Sequence, residues 1–132
     1  MSSVLALIDA DDKHHEALKA VFESDATPWV LPWAVLPEVG CLLQAHVGVR
    51  AEEAFLADLA AGVFAVEWGG EADLFDAQRI CRRHRSLRLG LVDAVVIAVA
   101  ERLKAKSVAT LDLKHFGAVR IRGGPRLLPR DL

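Results

Sequence analysis

Apolar and polar positions along this 132-residue chain fall into two kinds of segment. Short continuous apolar runs are bounded by turn residues, and longer stretches repeat apolar residues at helical spacing. Val4 to Ile8 is a continuous run followed by Asp9, Asp11 and Asp12. It reads either as a buried parallel strand with acids at its carboxyl end or as a turn and a half of buried helix. From Asp11 or Asp12 to about Ser24, Ala17, Leu18, Val21 and Phe22 recur at helical spacing after an acidic N-cap. Thr27 to Pro32 reads as a second strand closed by proline. Pro37 fits only the first turn of a helix, so the stretch from Trp33 to His46 is helical with Glu38 near its start, and Gly48 ends it. Val49 to Gly62 carries Ala51, Ala54, Phe55, Leu59 and Ala60 on one face, and Val63 to Trp68 follows as a strand. A further amphipathic helix, from Glu71 to about His84, uses Ala72, Leu74, Phe75, Ala77, Ile80 and Cys81. Leu89 to Leu103 is the densest apolar run, a helix beginning near Leu91 and buried on most faces. Ser107 to Leu111 is a strand running into Asp112. The tail offers Val119 to Ile121 and Pro125 to Pro129 around the turn signal Gly123-Gly124, enough for a last edge strand guarded by prolines and arginines.

Strands alternating with helices imply an α/β fold: one Rossmann-like, three-layer α/β/α domain, residues 1–132, with a mainly parallel central sheet. Composition agrees, since 53% hydrophobic and 26% charged residues can bury a real core without any disordered tract. A formal net charge of −2 means that any nucleic acid must be held by a local patch or through a metal rather than by overall attraction. Cys41 and Cys81 lack metal-ligand spacing and read as buried thiols of a reducing compartment. No run spans a bilayer and no signal peptide opens the chain, so the expected location is the cytoplasm, with no membrane partner.

Against this pattern three acids stand out. Asp93 lies in the first turn of the most apolar helix, where it either caps free backbone N–H groups or holds a cation beside other carboxylates. Asp112 follows a strand at its carboxyl end, the edge where ligands gather in parallel sheets. A helix running back down the sheet from Leu91 starts at that edge, which would bring Asp93 and Asp112 together. Glu38, in a first helical turn after a strand, belongs to the same edge or simply complements a helix dipole. Arg79, Arg82, Arg83, His84, Arg85 and Arg88 form the densest basic cluster. They either complement a helix C-terminus or hold phosphate. His14, His15, His46 and His115 give no metal spacing.

Leu89-Gly90-Leu91-Val92-Asp93-Ala94, paired with Thr110-Leu111-Asp112 and a following Phe116, resembles the PIN-domain nucleases, above all the toxins of bacterial VapBC toxin–antitoxin pairs. The resemblance covers nearly the whole chain. It implies that Glu38, Asp93 and Asp112 are metal carboxylates, an oxygen-ligand set suited to Mg²⁺ or Mn²⁺. The implied activity is metal-dependent RNA hydrolysis, with Thr110 orienting a carboxylate or water, and Arg82, Arg83, Arg85 and Arg88 as candidate RNA contacts. The implied partners are an antitoxin protein and a second copy of the chain. At the amino end the sequence departs from the family pattern, because Met1 stands where a first strand should end in a fourth acid. Either that strand lies upstream, or Val4 to Ile8 is recruited as the central strand with Asp9 replacing the acid, or a partner donates it. Losing the acid would leave a non-catalytic PIN-like module binding RNA or antitoxin. A phosphoacceptor receiver domain also fits the early acids, but it requires a Lys where this chain has Asp112.

Overall fold

The computed structural model describes residues 15–24, 29–110, 113–128 and 130–132, and the chain divides into two compact units, Met1–Glu67 and Trp68–Leu132. Val4 to Ile8 and Asp9 lie outside the described residues, as does Asp112.

In the first unit, helix α1 (His15–Ser24) precedes strand β1 (Val30–Pro32), and a 3-10 turn (Trp33–Val35) leads into α2 (Leu36–His46) and then α3 (Val49–Ala60). Strand β2 (Ala65–Glu67) pairs parallel with β1, setting Leu31 opposite Val66, and the Ala65 N–H donates to the Trp29 carbonyl at 2.9 Å. Two parallel strands need a long crossover, and α2 and α3 supply it. Pro37 sits in the first turn of α2, where a missing N–H costs nothing. The same helix ends as Gly48, at φ 135°, donates its N–H to the Leu43 carbonyl at 2.8 Å, a conformation that favours glycine. Leu18, Leu31, Val35, Val39, Leu43, Phe55 and Phe64 are buried, and Phe22 stands edge-on to Trp29 at 5.5 Å.

Cys41 corrects an expectation, because it is exposed rather than a buried thiol. Val39 and Leu43 carry the buried face of α2, and a residue two positions from either points to the opposite side. Cys81 is half-buried, its Sγ 3.7 Å from the Leu89 carbonyl.

In the second unit, α4 (Glu71–Arg83), a 3-10 turn (Arg85–Leu87) and α5 (Leu91–Arg102) form a helical hairpin. Every residue of α5 from Ala94 to Ala100 is buried, the fate of a helix apolar all round. Each of Val95, Val96, Ile97 and Val99 contributes on the order of 1.5–3 kcal/mol by leaving water. One ion pair fixes the antiparallel sense of the hairpin. Arg102, in the last turn of α5, grips Asp73, in the first turn of α4, with Nε at 2.8 Å from Oδ1 and a second guanidinium nitrogen at 3.1 Å from Oδ2. Asp73 is 1% exposed and also accepts from the Gly70 N–H at 3.4 Å, half of a capping box. Arg79 turns toward Glu101 at 3.8 Å and Asp76 at 3.5 Å, so this member of the basic cluster belongs to the hairpin.

Strand β3 (Ser107–Ala109) pairs parallel with β4 (Arg126–Leu128), and the short helix α6 (Leu113–Phe116) lies between them in sequence. The pairing extends beyond the strands: Thr110 N–H donates to the Leu128 carbonyl and Arg126 N–H to the Lys106 carbonyl, both at 2.9 Å. Val119 to Ile121 is no strand, although Val119 and Ile121 are buried. They serve the core from a bend, and the chain reverses through Gly123 and Gly124, both at positive φ, before β4 begins. Asp131 then clasps the C-terminal end. It accepts from Arg130 Nε at 2.7 Å and from the Leu127 N–H at 2.7 Å, and its carbonyl accepts from Arg126. The Arg130 guanidinium, with the Leu127 N–H, lowers the Asp131 carboxyl to about 2.

Among the described residues, each strand is shorter than the apolar run that contains it. Hydrogen-bonded pairing is limited by the partner's extent, whereas apolar runs also include flanking residues such as Phe64 that pack without pairing.

Candidate active site

Asp93 occupies the third position of α5, after the N-cap Gly90, whose lack of a side chain leaves the acid as the first-turn carboxylate. It is half-buried, and its Oδ2 lies 3.7 Å from Nδ1 of His115 on α6. That contact places the start of α5 beside the segment that follows β3. Thr110, one residue beyond β3, is buried and anchored by its backbone to β4.

Glu38 stands in the first turn of α2 in the first unit and is half-buried. Among the described residues no three His, Cys, Asp or Glu side chains gather as a ready metal cage. Asp9 and Asp112, the other acids of the expected set, are outside the described residues.

Arg82 and Arg83 end α4, Arg85 begins the 3-10 turn, and Arg88 closes that turn in the left-handed region at φ 52°. All four are exposed. Because α4 and α5 are antiparallel, this connection and the Asp93 end of α5 share one end of the hairpin. Exposed guanidiniums thus project from the end of the hairpin that carries the candidate acid, an arrangement suited to a phosphate-bearing ligand.

His115 was missed by spacing. It lies 22 positions from Asp93, and only the return of the chain through β3 into α6 brings them together. A half-signal existed in its position three residues after Asp112, on a segment already marked by an acid at a strand end.

The PIN domain family model matches residues 2–121. The chain is 35% identical over 125 residues to Ribonuclease VapC26 of Mycobacterium tuberculosis (strain ATCC 25618 / H37Rv), covering 95% of this chain and 93% of the relative. The crystal structure of Mycobacterium tuberculosis VapC20, a sarcin-ricin loop cleaving toxin, superposes with a TM-score of 0.77 at 26% identity, covering 89% of this chain and 90% of that one. The fold is accordingly the α/β fold of these proteins, with the two parallel strand pairs as its described sheet portions. No helix among the described residues is long and apolar enough to cross a membrane. By sequence and by fold alike, the chain belongs to the PIN-domain family.

Proposed function

We propose that this protein is a metal-dependent endoribonuclease that hydrolyses RNA phosphodiesters, acting as the toxin of a type II toxin–antitoxin pair. The observation that carries the reading is Asp93, held half-buried in the first turn of a rigid helix within a chain 35% identical to a named ribonuclease. Carboxylate oxygens are hard ligands, and a set of Asp and Glu fits Mg²⁺ or Mn²⁺ rather than a softer metal. Asp93, Glu38 and Asp112 would hold the ion, and Asp9 is the candidate for the fourth acid of the family pattern. When bound, such an ion neutralises charge developing on the phosphodiester and makes water a stronger nucleophile near neutral pH.

The chain's own residues do the rest. Asp93 fixes the depth of the site, because the seven buried residues that follow it lock its backbone. Arg82, Arg83, Arg85 and Arg88 bind phosphates flanking the scissile bond and orient the strand without reading its sequence. Thr110 orients a carboxylate or water from a buried position. An antitoxin protein and a second copy are the expected partners, supported by the exposed apolar side chains Trp68, Leu74 and Phe75 around the start of α4. With RNA as its substrate, the protein works in the cytoplasm.

Cleavage of a labelled RNA with Mn²⁺, compared with EDTA and with Asp93→Asn, tests this reading. Loss of cleavage in both controls supports it. Retained RNA binding with neither cleavage nor Mn²⁺ binding replaces it with a non-catalytic PIN-like module.

A further inference from the structure

We propose that the cavity beside α6 and β4 is a seat for one unpaired RNA nucleotide, its base on the apolar floor and its phosphate at Arg120 and Arg130. The proposal rests on the reading of RNA as the substrate and adds to it a contact outside the arginines of the α4–α5 turn. The cavity holds about 190 Å³, and its floor is made by Phe116, Val119, Ile121 and Leu127, all buried. Arg120 and Arg130, both exposed, complete it from the rim, and none of its lining residues is acidic.

Charge at this end of the chain favours an anion, although the whole protein is net −2. From Gly117 to Leu132 the sequence carries Arg120, Arg122, Arg126 and Arg130, with Asp131 as the acid among them. Asp131 holds one of these cations in place. It accepts from Arg130 Nε at 2.7 Å and from Nη2 at 2.8 Å, and is itself fixed by the Leu127 N–H at 2.7 Å. A guanidinium gripped through Nε and Nη2 presents Nη1 on its other edge. A Cβ on Gly117 would stand 3.8 Å from that Nη1 and 2.5 Å from the Leu113 carbonyl oxygen, so α6 closes around glycine and the cavity wall stays thin beside the nitrogen.

Size and shape narrow the anion to a nucleotide. The cavity is smaller than the roughly 300 Å³ at which pockets for whole drug-sized ligands begin, so it takes one group and leaves the rest outside. A nucleotide joins a flat base to a phosphate in one stiff unit, which matches an apolar floor with guanidiniums at the rim. An acidic peptide offers the charge, but its carboxylates and apolar side chains stand on separate stems. Arginine suits both parts of a nucleotide, since its planar fork takes phosphate oxygens and its face stacks on a base. A base locked in a duplex cannot enter, so the seat selects a loop or a single strand, a distinction that phosphate contacts alone do not make. The cavity shares α6 with His115, whose Nδ1 lies 3.7 Å from Asp93 Oδ2, so the seated nucleotide stands one short helix from the candidate acid.

The full chain is tested in EDTA, so that RNA is bound and not cut, with a short single-stranded RNA carrying fluorescein and 4-thiouridine. By fluorescence anisotropy, Kd should rise at least about tenfold in Arg120→Glu. Arg122→Glu makes the same charge change at an exposed neighbour that does not line the cavity, and should raise Kd no more than about threefold. Photocrosslinks to the parent should map by mass spectrometry to residues 116–127. Equal losses in the two variants would mean that charge and not the cavity matters, and the proposal fails. It fails too, with RNA binding itself still standing, if Arg120→Glu binds like the parent or the crosslinks lie elsewhere. A labelled peptide of alternating Glu and Leu is run alongside. If it binds more tightly than the RNA and loses that binding in Arg120→Glu, the cavity seats a protein partner and the proposal is overturned. If the parent binds no RNA, the underlying reading fails, and the proposal with it.

Discussion

Helix α5 carries an acid facing a basic side chain at each end, and the two contacts are built differently. At its C-terminal end Arg102 grips a carboxylate that water cannot reach, through two short contacts that also tie the hairpin together. At its N-terminal end Asp93 faces an imidazole edge at 3.7 Å and remains partly open to solvent. A buried acid must be matched donor for donor or it unfolds its surroundings, so the first pair is a constraint of folding. The second pair is not such a constraint, and on the proposed reading its partly open acid would serve a cation. Helix ends with similar residue types thus differ by burial and distance, not by composition.

The sharpest way to break this contrast is to remove Arg102. Arg102→Ala leaves the Asp73 carboxylate buried beneath a half-exposed gap, and should cost about 3 kcal/mol, the low end for an orphaned buried charge because Arg102 itself is partly solvated. Urea denaturation measures it directly, and a loss under about 1 kcal/mol would show that water reaches Asp73. At the other end Asp93→Asn should leave melting in EDTA unchanged or raised, while RNA cleavage falls at least about a hundredfold. Lower melting in EDTA would make Asp93 a structural cap instead.

Smaller effects sharpen the picture at the hairpin's open end and at the C-terminus. Arg82→Ala with Arg85→Ala should weaken RNA binding for all sequences alike. It should also flatten the dependence of log affinity on log salt by about 0.7 for each phosphate that is no longer neutralised, as read by filter binding across a salt series. Smallest is the clasp at Asp131, whose carboxyl is held at about 2, below its ordinary 3.8. Its folded-state value is depressed, so its contribution is present above the unfolded value and disappears as pH falls from about 4 toward 2. Asp131→Asn should flatten that acid limb of the melting-temperature profile and leave the neutral region nearly unchanged.

Much of this was legible in the chain. Pro37, Gly48, Gly62 and the Gly123-Gly124 pair punctuate it where backbone geometry leaves few alternatives, so helix limits read from them agree closely with the structure. The apolar density from Leu91 to Leu103 could only belong to a buried helix. Asp73 was illegible for the opposite reason. On an amphipathic pattern an acid in a first turn looks solvated, and nothing local announces an arginine 29 positions on that buries it. The contact of His115 with Asp93 likewise depends on the path of the chain through β3, which spacing does not encode. Strand limits were overdrawn because apolar runs record burial, while strands record pairing.

The sealed middle of α5 also predicts a hierarchy of motion. Amide hydrogens from Val95 to Ala100 are hydrogen-bonded within a helix whose side chains are all buried there, so they should exchange with deuterium only when the whole unit opens. Amides of the exposed turn from Arg85 to Arg88 should exchange orders of magnitude sooner. On the proposed reading, the arginines would adjust to a strand that is not yet in register, while Asp93, seated on the slowest-opening segment, would keep the place against which the strand aligns.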